Sequence, residues 1–121
     1  MTMARAGVTR RLLPFAGAVL AAAAVALSAY AAHGAAQDAQ GRLQIAAVFA
    51  FGHGIALAAL GPRAARRSGT VALAALLLGT LLFSGSLAAA QLFGTPTQLA
   101  PAGGMLLIAG WLLLAADALR G

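Results

Sequence analysis

A chain of 121 residues that is 62% hydrophobic and only 8% charged, with a mean hydropathy of +0.92, cannot cover a water-facing surface with polar groups. Soluble domains typically carry about 25% charged residues, so the composition excludes an ordinary soluble fold and indicates a membrane protein. The net charge of +6 comes from eight Arg against two Asp, with neither Lys nor Glu, and the lack of Cys excludes disulfides and thiolate metal sites.

Helix 1 is expected at about residues 13–32, within a charge-free run from 12 to 37. A bilayer core of roughly 30 Å needs about 20 helical residues. Pro14 suits the first turn, where a missing N–H has no partner to lose. The stretch "SAYAAHGAA" at 28–36 has two readings. Small residues at 29 and 31, behind Arg10 and Arg11, resemble a signal-peptide cleavage site. Yet the apolar run before it exceeds the usual signal-peptide length, and a retained helix is the favoured reading. His33 and Gly34 fall at its outer mouth, and Asp38 in the loop beyond.

Helix 2 is expected at about 43–60, ended by Gly61-Pro62. His53 stands about eleven residues into it, roughly 15 Å deep, and is the one ionisable residue expected near the bilayer centre. Residues 43–62 supply no counter-ion, so a neutral ring is expected. A neutral imidazole has one donor and one acceptor to satisfy. Gly52 and Gly54 leave room for another backbone beside it. Ser84, Ser86 or a carbonyl of helix 1 are the expected acceptors of its N–H.

The charge-free run from 68 to 116 is long enough for two spans, and "FGTPTQLAP" divides it. Helix 3 is expected at about 69–93, with Ser68 as N-cap and Gly94 as a left-handed stop. Helix 4 is expected at about 101–119, with Pro101 in its first turn. Four hydrophobic helices in an up-down bundle make an all-α, polytopic membrane protein of a single domain.

Helix association in lipid depends on close packing and a few hydrogen bonds. Gly17, Ala21, Ala24 and Ser28 form one small-residue face of helix 1. Ser84, Gly85 and Ser86 sit near mid-membrane on helix 3, and Gly103 and Gly110 recur one heptad apart on helix 4. Trp111 is expected to fill space left by such residues. Asp117 stands three residues before Arg120, a spacing that permits a local ion pair.

The Arg distribution sets the orientation. Arg5, Arg10, Arg11, Arg63, Arg66, Arg67 and Arg120 fall on one side of four spans and only Arg42 on the other. Positive charge stays inside, so both termini are expected to be cytoplasmic. The composition leans towards a bacterial inner membrane.

These residues carry a resemblance. "SAYAAHGAA", "RLQIAAVFAFGHGIALAAL", "LLFSGSL" at 81–87 and "APAGGMLLIAGWLLLA" at 100–115 follow one another at spacings similar to those of the small membrane family called domain of unknown function 423, to which the animal transmembrane protein 256 relatives belong. The resemblance spans about residues 13 to 116. It implies a four-helix integral membrane protein with its first helix kept, and it supplies no activity. One departure concerns the aromatic–Gln pair before the helix-2 His, where Phe49 and Ala50 stand here. His33, Gly34, His53, Ser84, Gly85, Ser86, Pro101, Gly103, Gly104, Gly110 and Trp111 are the candidate positions.

Two function classes compete. One is a structural or accessory membrane protein with no catalysis of its own. The other is a small transporter or channel using His53 as an intramembrane polar or proton-relay site. Four-helix drug exporters use a carboxylate on helix 1, and residues 12–37 have none. No Ser/His/Asp spacing, ligand cluster or phosphate loop points to an enzyme. No cofactor is expected. The expected partners are the lipid bilayer and a second copy or another membrane protein; nucleic acid is not expected.

Overall fold

The computed structural model describes residues 3–120, with side chains from residue 7 onward apart from Thr9; Arg5, counted in the charge bias, lies outside the described side chains. Four α-helices carry the chain: α1 Met3–His33, α2 Gln37–Leu60, α3 Arg67–Phe93 and α4 Leu99–Leu119. A 3-10 turn, Gly61–Arg63, follows α2. Each α-helix contains a segment long and apolar enough to cross a membrane, Arg10–His33, Gln37–Arg63 with the 3-10 turn, Arg67–Phe93 and Leu99–Leu119. No strand occurs among the described residues. Helices are the form that bonds every backbone polar group internally in lipid.

The helices run past the lipid-sized segments read from the sequence. Those segments lie inside them, but α1 begins at Met3 and α2 at Gln37. Hydropathy marks where the chain meets hydrocarbon, whereas helical hydrogen bonding continues into the polar ends. Two expectations fall with this. Asp38 is not in a loop: it stands in the first turn of α2, where a carboxylate favours the positive end of the helix dipole. Pro14 is not at a first turn but inside α1. Its ring is accommodated by Gly61, where a Cβ would come 2.7 Å from Pro14 Cδ.

Ser68 does not cap α3 either. The N-cap is Arg66, with extended backbone and no side-chain cap bond, and Ser68 lies within the first turn. Gly94 does end α3 in the left-handed conformation, at φ 72°.

Short connections make successive helices antiparallel neighbours. The main seams are α1 on α2, α3 on α4 and, less extensively, α2 on α3. Helix α4 makes no more than a marginal backbone approach to α1 or α2. The helices therefore form a folded row with α2 and α3 in the middle, and open grooves remain on its flanks.

Glycines set the two tight seams. A Cβ on Gly17 would stand 2.5 Å from Gly54 O, and one on Gly54 would stand 2.6 Å from Gly17 O. Across the other seam, a Cβ on Gly103 would stand 2.5 Å from Phe83 N, and one on Gly110 2.9 Å from Leu76 Cδ2. Gly52 and Gly85 are different: a Cβ on either meets nothing within 4 Å, so neither lets a neighbour approach. Leu13, Leu57, Leu73, Leu76 and Leu107 fill the core between these seams.

Candidate functional site

Gly54 turns its face to α1, and the next-door His53 therefore projects from another side of α2, towards α4. His53 is half-buried. Its Nδ1 lies 2.7 Å from the Phe49 carbonyl one turn earlier. The Trp111 indole donates to His53 Nε2 at 3.0 Å. A carbonyl oxygen can only accept and an indole N–H can only donate. The two bonds together are met by the neutral ring with its hydrogen on Nδ1. Both polar groups of the imidazole are thereby satisfied inside the protein.

Aromatic rings surround this bridge. Phe49 stacks on His53 with centroids 5.9 Å apart and planes 13° apart. His53 and Trp111 are 5.7 Å apart and tilted by 57°. Phe49 also meets Phe83 of α3 at 4.6 Å, tilted by 46°. Together with Gly104 and Ile108 they line an apolar, open-sided groove of about 640 Å³ between α2 and α4.

The expected partners of His53 are corrected here. Neither Ser84, Ser86 nor helix 1 takes its N–H; its own helix does, and Trp111 supplies the cross-helix bond. Nor does Trp111 fill a gap between small residues. It is 43% exposed and reaches sideways over the groove.

The other candidate positions scatter. Pro101 and Gly104 line the same groove. Gly103 and Gly110 belong to the α3–α4 seam. Ser84 is buried, and its hydroxyl has no partner among the described residues. Gly85 and Ser86 line a separate groove of about 440 Å³ beside Thr95 and Gln98, near the α3–α4 connection. His33 and Gly34 are exposed at the α1–α2 connection, where the Gly34 and Ala35 amides both donate to the Tyr30 carbonyl.

Two polar contacts escaped the sequence reading. Ser28 Oγ donates to Gln44 Oε1 at 2.8 Å, and Gln44 Nε2 donates to the Ser28 carbonyl at 3.2 Å. The signal was available, because Gln44 and His53 are the only polar side chains in the charge-free run of helix 2. The second is a clasp at the opposite end. Arg66 donates to the carbonyls of Asp117 at 3.1 Å and Arg120 at 2.8 Å, covering the unpaired end of α4 with a cation. The Asp117 carboxylate lies 3.9 Å from Arg66 Nη1 and accepts the Ser68 hydroxyl. The expected Asp117–Arg120 pair is replaced by this clasp, because Arg120 is the C-cap residue and it is its carbonyl that Arg66 takes.

Four helices, each long and apolar enough to span a membrane, define an all-α, polytopic membrane protein. Residues 27–104, more than half of the chain, match the family described as Protein of unknown function (DUF423), and the chain belongs to that family. The match includes His33, His53 and Ser84 to Gly104 but ends before Gly110 and Trp111, so it is narrower than the resemblance read from the motifs. No curated protein and no solved structure matches the chain.

Proposed function

We propose that this chain is an accessory membrane protein without catalysis of its own, set in a bacterial inner membrane with its Arg-rich end in the cytoplasm. The observation that carries the reading is the state of His53. A proton relay needs partners that exchange protons and a ligand site needs a free nitrogen, whereas both imidazole nitrogens are engaged by groups that do not exchange, the Phe49 carbonyl and the Trp111 indole N–H. An intramembrane ionisable residue is a functional candidate by default; here its bonding matches that of a strut joining α2 to α4. The open grooves flanking the helix row leave apolar faces for lipid, for a second copy or for helices of another membrane protein. The seven-to-one Arg bias supports the orientation.

The competing reading is a small transporter in which Trp111 lets go of His53 during a cycle. Proton flux across vesicles reconstituted with the full chain separates the two. The accessory reading expects flux equal to that of empty vesicles, and a deletion phenotype rescued equally by wild type and His53→Gln, since Gln keeps a donor and an acceptor but does not titrate. Flux that depends on the protein and disappears in His53→Gln would establish transport instead.

A further inference from the structure

Seven of the eight Arg fall at one end of the four spans. The chain has two acidic side chains. Asp38 lies in the first turn of α2, at the other end of the molecule. Asp117 is taken by Arg66 and Ser68. Arg10, Arg11, Arg63 and Arg67 are exposed and have no carboxylate partner among the described residues.

Packing places two of them on segments that touch, α1 and the turn after α2. Gly61 opens the 3-10 turn that ends in Arg63, and a Cβ on it would stand 2.7 Å from Pro14 Cδ and 3.1 Å from Leu13 Cβ. Arg10, Leu13, Pro14 and Gly17 recur at helical spacing and share one face of α1. That face meets Gly54 and Leu57 at Gly17 and the 3-10 turn at Pro14. Arg10 is the next position along it, one turn towards the N-terminus, on the side of α1 that meets the turn carrying Arg63. Arg10, Arg63 and Arg67 also mark the ends of three apolar spans, which sets them at the level of lipid phosphates rather than in bulk water.

We infer that Arg10 and Arg63, flanked by Arg67, form a binding site for the headgroup of an anionic phospholipid of the surrounding leaflet. The guanidinium fork matches phosphate oxygens two at a time. Two such forks fixed by the Gly61–Pro14 contact hold one phosphate between α1 and the turn after α2, with the acyl chains running along the outer face of α1. A zwitterionic headgroup brings its own cation to a place that already has an excess of them.

The test uses the full chain in a non-ionic detergent with equal amounts of phosphatidylglycerol and phosphatidylcholine, the retained lipid being counted by native mass spectrometry. Wild type is expected to retain phosphatidylglycerol preferentially. Each basic residue near an anionic headgroup is worth about fivefold, so R10Q and R63Q should each lower the preference about fivefold and the double variant about 25-fold. R42Q, at the opposite end, should leave it unchanged. The single variants keep a six-to-one Arg bias, so they stand as the test if the double variant inserts poorly. An unchanged preference in both R10Q and R63Q, or an equal fall in R42Q, overturns the site. Release of phosphatidylglycerol by the same concentration of inorganic phosphate overturns the lipid as its ligand.

Discussion

The bond from Trp111 to His53 should be measurable as a coupling between two distant positions. Trp111→Phe keeps an aromatic ring over the groove and removes the indole N–H along with part of the ring surface. His53→Leu removes the acceptor and leaves that N–H facing hydrocarbon. The bond is 3.0 Å long and joins helices whose backbones share no seam, so few other contacts mask its loss. Hydrogen bonds between membrane helices average about 0.6 kcal/mol and reach about 1.7. Each single change should cost about that much. The double variant should cost little more than the worse single one, a coupling of about 0.6–1.7 kcal/mol. His53→Gln, which keeps an acceptor, should stay within about 0.5 kcal/mol of wild type. Unfolding in mixed micelles, followed by helical circular dichroism as the denaturing detergent fraction rises, gives all four corners of the cycle. Strict additivity of Trp111→Phe and His53→Leu would refute the bridge, and with it the argument that His53 is a strut.

The glycines give predictions of opposite sign. Gly103→Ala puts a methyl against Phe83 N and should cost about 1–3 kcal/mol, whereas Gly85→Ala, which meets open space, should be neutral or stabilise by up to about 1 kcal/mol; unfolding midpoints in detergent compare them, and equal effects would refute the seam. Asp117→Ala should lower stability by about 1–2 kcal/mol, since it breaks a partly exposed ion pair and strands the Ser68 hydroxyl, and the loss should shrink as salt is raised. Compartment reporters fused at Thr97 and at the C-terminus should give opposite signals, and matching signals would contradict the Arg-based orientation. N-terminal sequencing of membrane-purified protein should find α1 still attached, because its removal would uncover Gly54 and Leu57; a mature chain starting near Ala32 would refute this.

The spans were legible in the sequence because hydropathy and the placing of Arg are set by the bilayer, which acts on each helix separately. The seams were legible in part, since Gly17, Gly103 and Gly110 recur at spacings that bring small residues onto one face. What the sequence did not disclose is how each helix is rotated. In a soluble protein an apolar stripe reports the buried face. Here lipid is as apolar as the core, so Phe49 and Met105 look no different from Leu57 and Leu107 although the first pair is exposed and the second buried. His53 could thus be placed in depth but not in direction, and its partner 58 residues away was missed. The Arg66 clasp was missed for a related reason: Arg120 was nearer to Asp117 along the chain, while the free carbonyls at the end of α4 that draw a cation are invisible in residue spacing.

The two glycine seams have a bearing on how the protein is made. Gly17 meets Gly54 and Ser28 meets Gln44, all within the first two helices; Gly79 meets Gly103 and Ala72 meets Gly110, all within the last two. Each half can close on itself as soon as its second helix leaves the ribosome. The tightest contacts of the first hairpin need no residue of α3 or α4. Joining the halves then depends on the less extensive α2–α3 seam, on the shared leucine core, and on the contacts of Phe49 with Phe83 and Trp111 with His53. The Arg66 clasp closes last, because its acceptors, the carbonyls of Asp117 and Arg120, are among the final residues synthesised.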